Sequence, residues 1–213
     1  MRVKDVMSWN VVTVPSDTPI MEAKKIMETH HIRRLPVVDK GKLMGIVSKE
    51  SIDKIGPSAA TTLSVWEITY LLSKIKVNEV MKTDVVTVTP DMTAEAAVSL
   101  AQNKRVGSLI ALEDNKVVGI LTTNDFFYRI LNPMLGIGKP GVRLAITKCI
   151  SARCIKEVME CVAKHNVKII AIHNSSPVED IEPDLFLQLD TDNADLIIKE
   201  LKAKGFEVRL RAR

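Results

Sequence analysis

An internal repeat is the feature that most restricts the fold of this chain. Residues 3–54 and 77–128 align without a gap at an offset of 74 positions, and thirteen of the 52 aligned pairs are identical. In the first copy the identical positions are Val3, Val6, Met7, Val11, Val12, Thr13, Val14, Asp17, Ala23, Leu35, Lys42, Gly45 and Ile46. A period of this kind indicates a duplicated unit that buries its apolar face against its neighbour. We therefore expect two copies that pack on each other.

Each copy contains the same order of predicted elements. A β-branched run predicts a first strand, at Val11–Val14 in one copy and at Val85–Thr89 in the other. Apolar residues at helical spacing then predict a helix, which Thr18, followed by a proline, caps in the first copy and Thr93 caps in the second. Two further strands and a second helix complete a β-α-β-β-α unit, so the fold class is α+β.

A helix is predicted between the copies. Ser64 and Glu67 have the spacing of a capping box, and the apolar face of the helix would comprise Trp66, Ile68, Leu71, Leu72 and Ile75. A second stretch rich in glycine and proline precedes the C-terminal third. The predicted organisation is a first repeat at residues 1–56, a linker helix at 57–75, a second repeat at 76–131, a linker at 132–141 and a separate domain at 142–213.

The C-terminal third has a different pattern. Alternating apolar residues predict strands that start at Val142, within residues 167–173 and 184–190, and near the C-terminus. Ser151 caps a predicted helix between the first two strands. Thr191 or Asp192 caps another helix, whose apolar face would carry Leu196, Ile197 and Leu201. The order β-α-β-β-α-β is the ferredoxin-like arrangement.

Several motifs resemble those of a known family. VKDVM, VVTV, IRRLPVVD and GKLMGIVS in the first copy, with VNEVM, VVTV and GILTTND in the second, resemble a tandem pair of CBS domains, or Bateman module. This resemblance implies two clefts for adenosine compounds such as AMP, ADP, ATP or S-adenosylmethionine. The C-terminal third resembles an ACT domain, and the whole layout is similar to the acetoin-utilisation regulatory proteins. No glycine stands in the turn at residues 148–152, so a structural or dimerising role is favoured over amino-acid binding.

The segment GILTTND, residues 119–125, contains the side chains that this resemblance implies for ribose and phosphate binding. An ionised carboxylate only accepts hydrogen bonds, so Asp125 can accept from both hydroxyls of a ribose. Thr122 and the following helix N-terminus can receive phosphate oxygens. A Thr and an Asp at a junction between strand and helix are also a common helix cap, and that alternative stays open.

The resemblance also assigns the remaining walls of two clefts. In the first, Arg33 and Arg34 would face phosphate, and Arg suits this role because its fork of donors matches phosphate oxygens. In the same cleft, adenine would contact backbone and apolar groups of Asn10, Val11, Val12, Leu35 and Pro36. A weaker second cleft lacks the carboxylate and would use Ser48, Ser51, Val85, Val86, Gly107 and Ser108.

Composition excludes some classes of function. The net charge of +4 comes from dispersed basic residues, which argues against a nucleic-acid partner. No apolar run approaches the roughly 20 residues needed to span a bilayer. The start MRVKDVMSWN has no apolar signal core, and three cysteines do not make a disulfide framework. A cytoplasmic location is the resulting expectation.

Neither metal binding nor catalysis is favoured. Cys154, Cys161 and His165 fall on one helical stripe after Cys149, a pattern for which core packing is preferred over a metal site. An enzyme with Cys149 or Cys161 as nucleophile is the weakest reading. We expect a non-enzymatic regulatory homodimer that needs no cofactor, senses an adenosine ligand and acts on a regulated protein that the sequence does not identify. The alternative is an interaction scaffold that binds no ligand.

Overall fold

The computed structural model describes residues 1–55, 64–176 and 182–211. The chain divides into two compact units, Met1–Phe126 and Phe127–Arg213. Within the described ranges, no helix is both long and apolar enough to cross a bilayer. Gly56, Pro57 and Ser58, a sequence that predicts a break in the chain after the first repeat, lie outside the described residues.

The first repeat follows the predicted order and adds a short helix at its start. Its predicted first strand shrinks to a single bridge, in which Val14 pairs in parallel with Val37. The predicted cap is also wrong, because Pro19 and not Thr18 is the N-cap and no side chain caps this helix. The Thr18 carbonyl accepts from the Val77 N–H instead. The elements are α1 (Val3–Val6), α2 (Ile20–Thr29), β1 (Arg34–Asp39), β2 (Lys42–Ser48) and α3 (Lys49–Asp53).

The linker helix α4 (Val65–Lys74) begins with the expected capping box between Ser64 and Glu67. The Ser64 hydroxyl and N–H both donate to the Glu67 carboxylate, and these bonds hold the pKa of Glu67 below its usual value. The predicted apolar face is only partly buried. Leu72 and Ile75 pack on the first repeat, whereas Trp66 is 86% exposed. Leu71 is also exposed, and the Ile68 side chain lies outside the described residues.

The second repeat repeats the pattern with a shortened first strand. Of the five residues predicted, only β3 (Thr87–Val88) is a strand, parallel to its neighbour. Thr93 caps the following helix as expected, because its hydroxyl accepts from the Ala96 N–H. The other elements are a 3-10 turn (Val77–Glu79), α5 (Ala94–Lys104), β4 (Ser108–Glu113), β5 (Lys116–Thr122), α6 (Thr123–Asp125) and a π-helical turn (Phe126–Leu131).

The two repeats interlock by exchanging their N-terminal segments. Ser8 and Ile120 exchange backbone hydrogen bonds, and Ile46 and Lys82 form the same pair in the opposite direction. This contact requires a glycine, because a Cβ on Gly119 would lie 2.2 Å from the Met7 Sδ atom. The repeat-related pair has the same geometry, since a Cβ on Gly45 would lie 2.8 Å from Met81 Sδ. The methionine of each repeat therefore packs against the glycine of the other, which explains why both residues are identical in the two copies.

The second unit is built on one antiparallel sheet. Its strands are β6 (Val142–Ile146), β7 (Ile169–Ser175), β8 (Asp184–Leu189) and β9 (Val208–Arg211), in the spatial order β7-β8-β6-β9. Helices α8 (Ala152–Lys164) and α9 (Asp195–Ala203) complete a β-α-β-β-α-β connectivity. The core between helices and sheet contains Leu144, Ile146, Val158, Val162, Leu185, Leu187, Leu189 and Leu201.

Three details of this unit differ from the sequence prediction. The expected linker at residues 132–141 contains a short helix, α7 (Asn132–Leu135). Helix α9 begins after Ala194, and the Asn193 side chain, not Thr191 or Asp192, accepts from the Asp195 N–H. Leu196 is 70% exposed, because Ile197 and Leu201, four residues apart, define the buried face and Leu196 lies beside it.

The sequence predicted no disulfide framework, and the structure contains one short-range disulfide. Cys149 and Cys154 are joined by a disulfide that links the end of β6 to the first turn of α8. Cys161 is a buried free thiol, and burial raises its pKa. His165 lies 3.2 Å from a Glu200 carboxylate oxygen. Among the described residues, no group of three or more His, Cys, Asp or Glu side chains is placed to hold a metal ion.

Candidate functional site

A cavity of about 430 Å³ lies in the first unit and takes its walls from both repeats. The first repeat contributes residues from its N-terminal segment, from the approach to β1 and from α3. The second contributes β5 and the start of α6. The lining residues are Ser8, Asn10, Val11, Val12, His31, Ile32, Arg33, Arg34, Glu50, Ile120, Thr122, Thr123, Asn124 and Asp125. Seven of the nine residues predicted for the first cleft are therefore brought to one cavity.

Asp125 stands on the wall formed by the second repeat. Strand β5 ends at Thr122, and the one-turn helix α6 places Asp125 three residues later. The Asp125 Oδ2 atom accepts from the Thr122 backbone N–H at 2.8 Å and from the Thr122 hydroxyl at 2.7 Å. The other oxygen, Oδ1, lies 3.4 Å from the Ser8 hydroxyl of the first repeat. Asp125 is 9% exposed, so a carboxylate that caps its own helix also borders the cavity.

The opposite wall carries the two arginines of the first repeat. Arg33 lies directly before β1, and Arg34 is the first residue of that strand. The Arg34 guanidinium passes close to the second repeat, because a Cβ on Gly107 would lie 3.0 Å from its Nη2 atom. Gly107 was predicted for the second cleft. In the structure, the missing side chain of Gly107 leaves space for the Arg34 guanidinium of the first cleft.

Glu50 is a charged wall residue that the sequence prediction omitted. It belongs to α3, and its Oε1 atom lies 3.5 Å from Arg33 Nη2. A hydrogen bond from its own backbone N–H lowers the pKa of Glu50, and the Ser48 hydroxyl and the charges of Arg34 and Arg33 act in the same direction. The signal for Glu50 was present in the repeat, because the offset of 74 aligns it with Asn124, next to Asp125.

Six further wall residues were also omitted. Ser8 and Ile120 are brought together by the exchange of N-terminal segments, which the sequence alone did not reveal. Thr123 directly follows the end of β5, and its N–H donates to the Gly107 carbonyl. His31 and Ile32 occupy the turn before Arg33, and the His31 backbone is left-handed with a φ of 53°. Asn124 directly precedes Asp125.

Leu35 and Pro36 are the two predicted residues that do not line this cavity. Leu35 is fully buried in the core of the first repeat, against the helix that precedes its strand. Pro36 is buried, and its carbonyl accepts from the Val14 N–H. The polar wall ends at Arg34 because β1 enters the core at the next residue.

The residues predicted for the second cleft do not line a common cavity among those found in the described part of the chain. The Ser51 hydroxyl donates to the Ser48 carbonyl at 2.8 Å, and each of the two serines caps the backbone of the other. Val85 lines a separate cavity of about 440 Å³ whose walls do not include Ser48 or Ser51. The Val86 carbonyl accepts from the Ile110 N–H, and Ser108 pairs with Thr122 at the start of β4. Ser51 thus serves as a helix cap.

Comparison with known families gives a match that covers both repeats. The family model described as CBS domain matches residues 3–56 and 77–132. A curated relative, the inosine-5'-monophosphate dehydrogenase of Methanocaldococcus jannaschii, is 29% identical over 182 residues. That match includes 79% of this chain, and the chain spans only 34% of the length of the dehydrogenase.

Two solved structures are also similar. AcuB from Vibrio cholerae, assigned to acetoin utilization, is 29% identical with a TM-score of 0.52, over 62% of this chain and 91% of that chain. CBSX2 was solved in complex with AMP and is 23% identical with a TM-score of 0.50, over 62% of this chain and 97% of that chain. At this identity the likeness to CBSX2 shows a shared fold.

Proposed function

Because this chain belongs to the CBS-domain family, we propose that its repeat pair is a regulatory module that binds an adenosine compound in the cavity beside Asp125. The observation that carries the proposal is the meeting of unlike groups in one cavity. A buried carboxylate on one wall and two arginines on the other come from different repeats. Such a pair of walls suits a ligand with a diol at one end and an anionic group at the other.

Each part of the ligand has a proposed partner. The Asp125 carboxylate would accept from the ribose hydroxyls, since each carboxylate oxygen accepts more than one hydrogen bond. Arg33 and Arg34 would donate to phosphate. Adenine would lie against Asn10, Val11 and Val12. AMP, ADP, ATP and S-adenosylmethionine are the ligands proposed, with no cofactor or metal required.

The second unit is proposed to be an ACT-type domain with a ferredoxin-like fold. Its β-α-β-β-α-β connectivity and its strand order support this assignment. We propose that it dimerises a cytoplasmic, non-enzymatic regulator and passes the ligand signal to a regulated protein. A ligand produces such a signal only if it binds two conformations of the module with different affinity. The proposed domains are residues 1–56, 76–131 and 142–213, joined by 57–75 and 132–141.

An interaction scaffold that binds no ligand is the second proposed function. The observation in its favour is that Asp125 already serves as a helix cap, which is a sufficient structural reason for its presence. Exposed aromatic side chains on α4, Trp66 and Tyr70, offer apolar surface for a partner.

Titration of the whole chain separates the two functions. We expect calorimetry with AMP, ADP, ATP and S-adenosylmethionine to show saturable binding of at least one compound. The same compound should raise the melting temperature, because a ligand that binds only the folded state stabilises it. Guanosine monophosphate is the matched control for the base. If none of the four adenosine compounds binds at millimolar concentration, the scaffold function replaces the regulatory one.

A further inference from the structure

The charges around the cavity balance before any ligand enters. Arg33 and Arg34 supply two positive charges, and Glu50 and Asp125 supply two negative charges. The two carboxylates have different positions. Asp125 is buried beside Thr122, whereas Glu50 is half exposed and stands at the arginine side of the cavity. Each phosphate added to a ligand therefore brings negative charge toward a pair of arginines that already have an anionic neighbour.

Glu50 lies beside Arg33, one of the two residues proposed to bind phosphate. Its Oε1 atom is 3.5 Å from Arg33 Nη2, and the Arg34 charge also acts on its carboxylate. Arg33 has no other ion pair with a described residue. A phosphate that binds Arg33 must share the guanidinium with Glu50 or displace it, and like charges at such a distance repel each other.

Resting on the proposed function, we infer that Glu50 is a specificity-determining residue that restricts the cavity to adenosine compounds with a short phosphate group or none. A ligand with one phosphate places its charge beside Arg34 and shares Arg33 with Glu50. A longer phosphate chain extends past the arginines toward the Glu50 carboxylate. The preferred class is therefore adenosine, its thioether and sulfonium derivatives, and AMP, ahead of ADP and ATP.

The repeat supplies an internal comparison for this role. The residue aligned with Glu50 in the second copy is Asn124, which lines the same cavity and carries no charge. The two positions are alike in fold, since Glu50 lies in the first turn of the helix after β2 and Asn124 in the first turn of the helix after β5. The charge of Glu50 is therefore not required by the helix start itself.

The test compares AMP and ATP on three proteins by calorimetry, in EDTA so that no metal ion screens the phosphates. We expect the wild-type chain to bind AMP more tightly than ATP. In Glu50→Gln the ratio of the ATP to the AMP dissociation constant should fall about fivefold, the scale of one partly exposed charge interaction. Asp53→Asn is the matched control, because Asp53 lies on the same helix, pairs with Lys24 and Lys49, and does not line the cavity.

The outcomes distinguish the inference from the function on which it rests. If AMP binds but the ratio in Glu50→Gln stays within twofold of the wild-type ratio, the inference is overturned and the regulatory function stands. A shift of equal size in Asp53→Asn also overturns it, because the effect would then be one of general charge. If none of the three proteins binds any adenosine compound, the proposed function fails and the inference fails with it.

Discussion

Asp125→Ala is expected to weaken binding of the adenosine ligand by about 10- to 100-fold. Hydrogen bonds to a charged group are each worth about 1.5–3 kcal/mol, and a loss of about 1.4 kcal/mol is tenfold in affinity. The substitution also removes the acceptor for the Thr122 N–H and hydroxyl. A loss of stability of about 1 kcal/mol should accompany it, as for other helix caps. Calorimetric titration and thermal denaturation measure the two effects separately.

Ser51→Ala is the matched control for Asp125→Ala. Ser51 holds the equivalent position in the first repeat, where its hydroxyl accepts from the Ser48 N–H, but it does not line the cavity. We expect its melting temperature to fall while the affinity stays within twofold of the wild-type value. Equal losses of affinity in the two variants would mean that the caps act through the fold and that Asp125 does not touch the ligand.

Gly141→Ala is expected to destabilise the second unit by about 3 kcal/mol, the upper range for a strained backbone position. Gly141 has a φ of 107°, a region that is open to glycine and costly for alanine. A Cβ at this position would also lie 2.0 Å from the Leu189 carbonyl oxygen. That oxygen belongs to the end of a buried strand, so it cannot move without loss of sheet pairing. Urea denaturation of the whole chain, followed by circular dichroism, provides the measurement.

Gly138→Ala separates backbone strain from the steric clash. Gly138 lies in the same loop with a φ of 77°, and a Cβ there meets nothing within 4 Å. We expect a loss of about 1 kcal/mol, the cost of a left-handed conformation alone. If both variants lose the same stability, the contact between the loop and the end of β8 does not contribute to the fold.

The sequence predicted much of the fold because a repeat constrains two units at once. It could not predict how far each first strand extends. Val11 and Val12, before Val14, line the cavity beside Asp125, and Val85, before Thr87, lines the separate cavity, so these residues do not form a full ladder. It also missed the exchange of N-terminal segments. A match between Met7 and Gly119 is a contact between copies, whereas the alignment compares each residue only with its own equivalent.

Seven of the nine residues predicted for the first cleft line one cavity, and Leu35 and Pro36 do not. Asp125 and Thr122 were identified because the resemblance to a CBS pair implies a ribose site in GILTTND, although the same two residues also form a helix cap. Leu35 and Pro36 were included because they follow Arg34 in the IRRLPVVD motif. The sequence did not show that β1 enters the core directly after Arg34. Glu50 was left out because the resemblance assigned the opposite wall only to residues 10–12 and 33–36, and Glu50 lies on the helix after β2.

A crystal structure of the whole chain grown with saturating AMP tests the central claim most directly. The account predicts electron density for the nucleotide in the cavity between the repeats, with a ribose hydroxyl within hydrogen-bonding distance of the Asp125 carboxylate and phosphate beside Arg34. Nucleotide density at another place, with the Asp125 cavity holding only solvent, would contradict it.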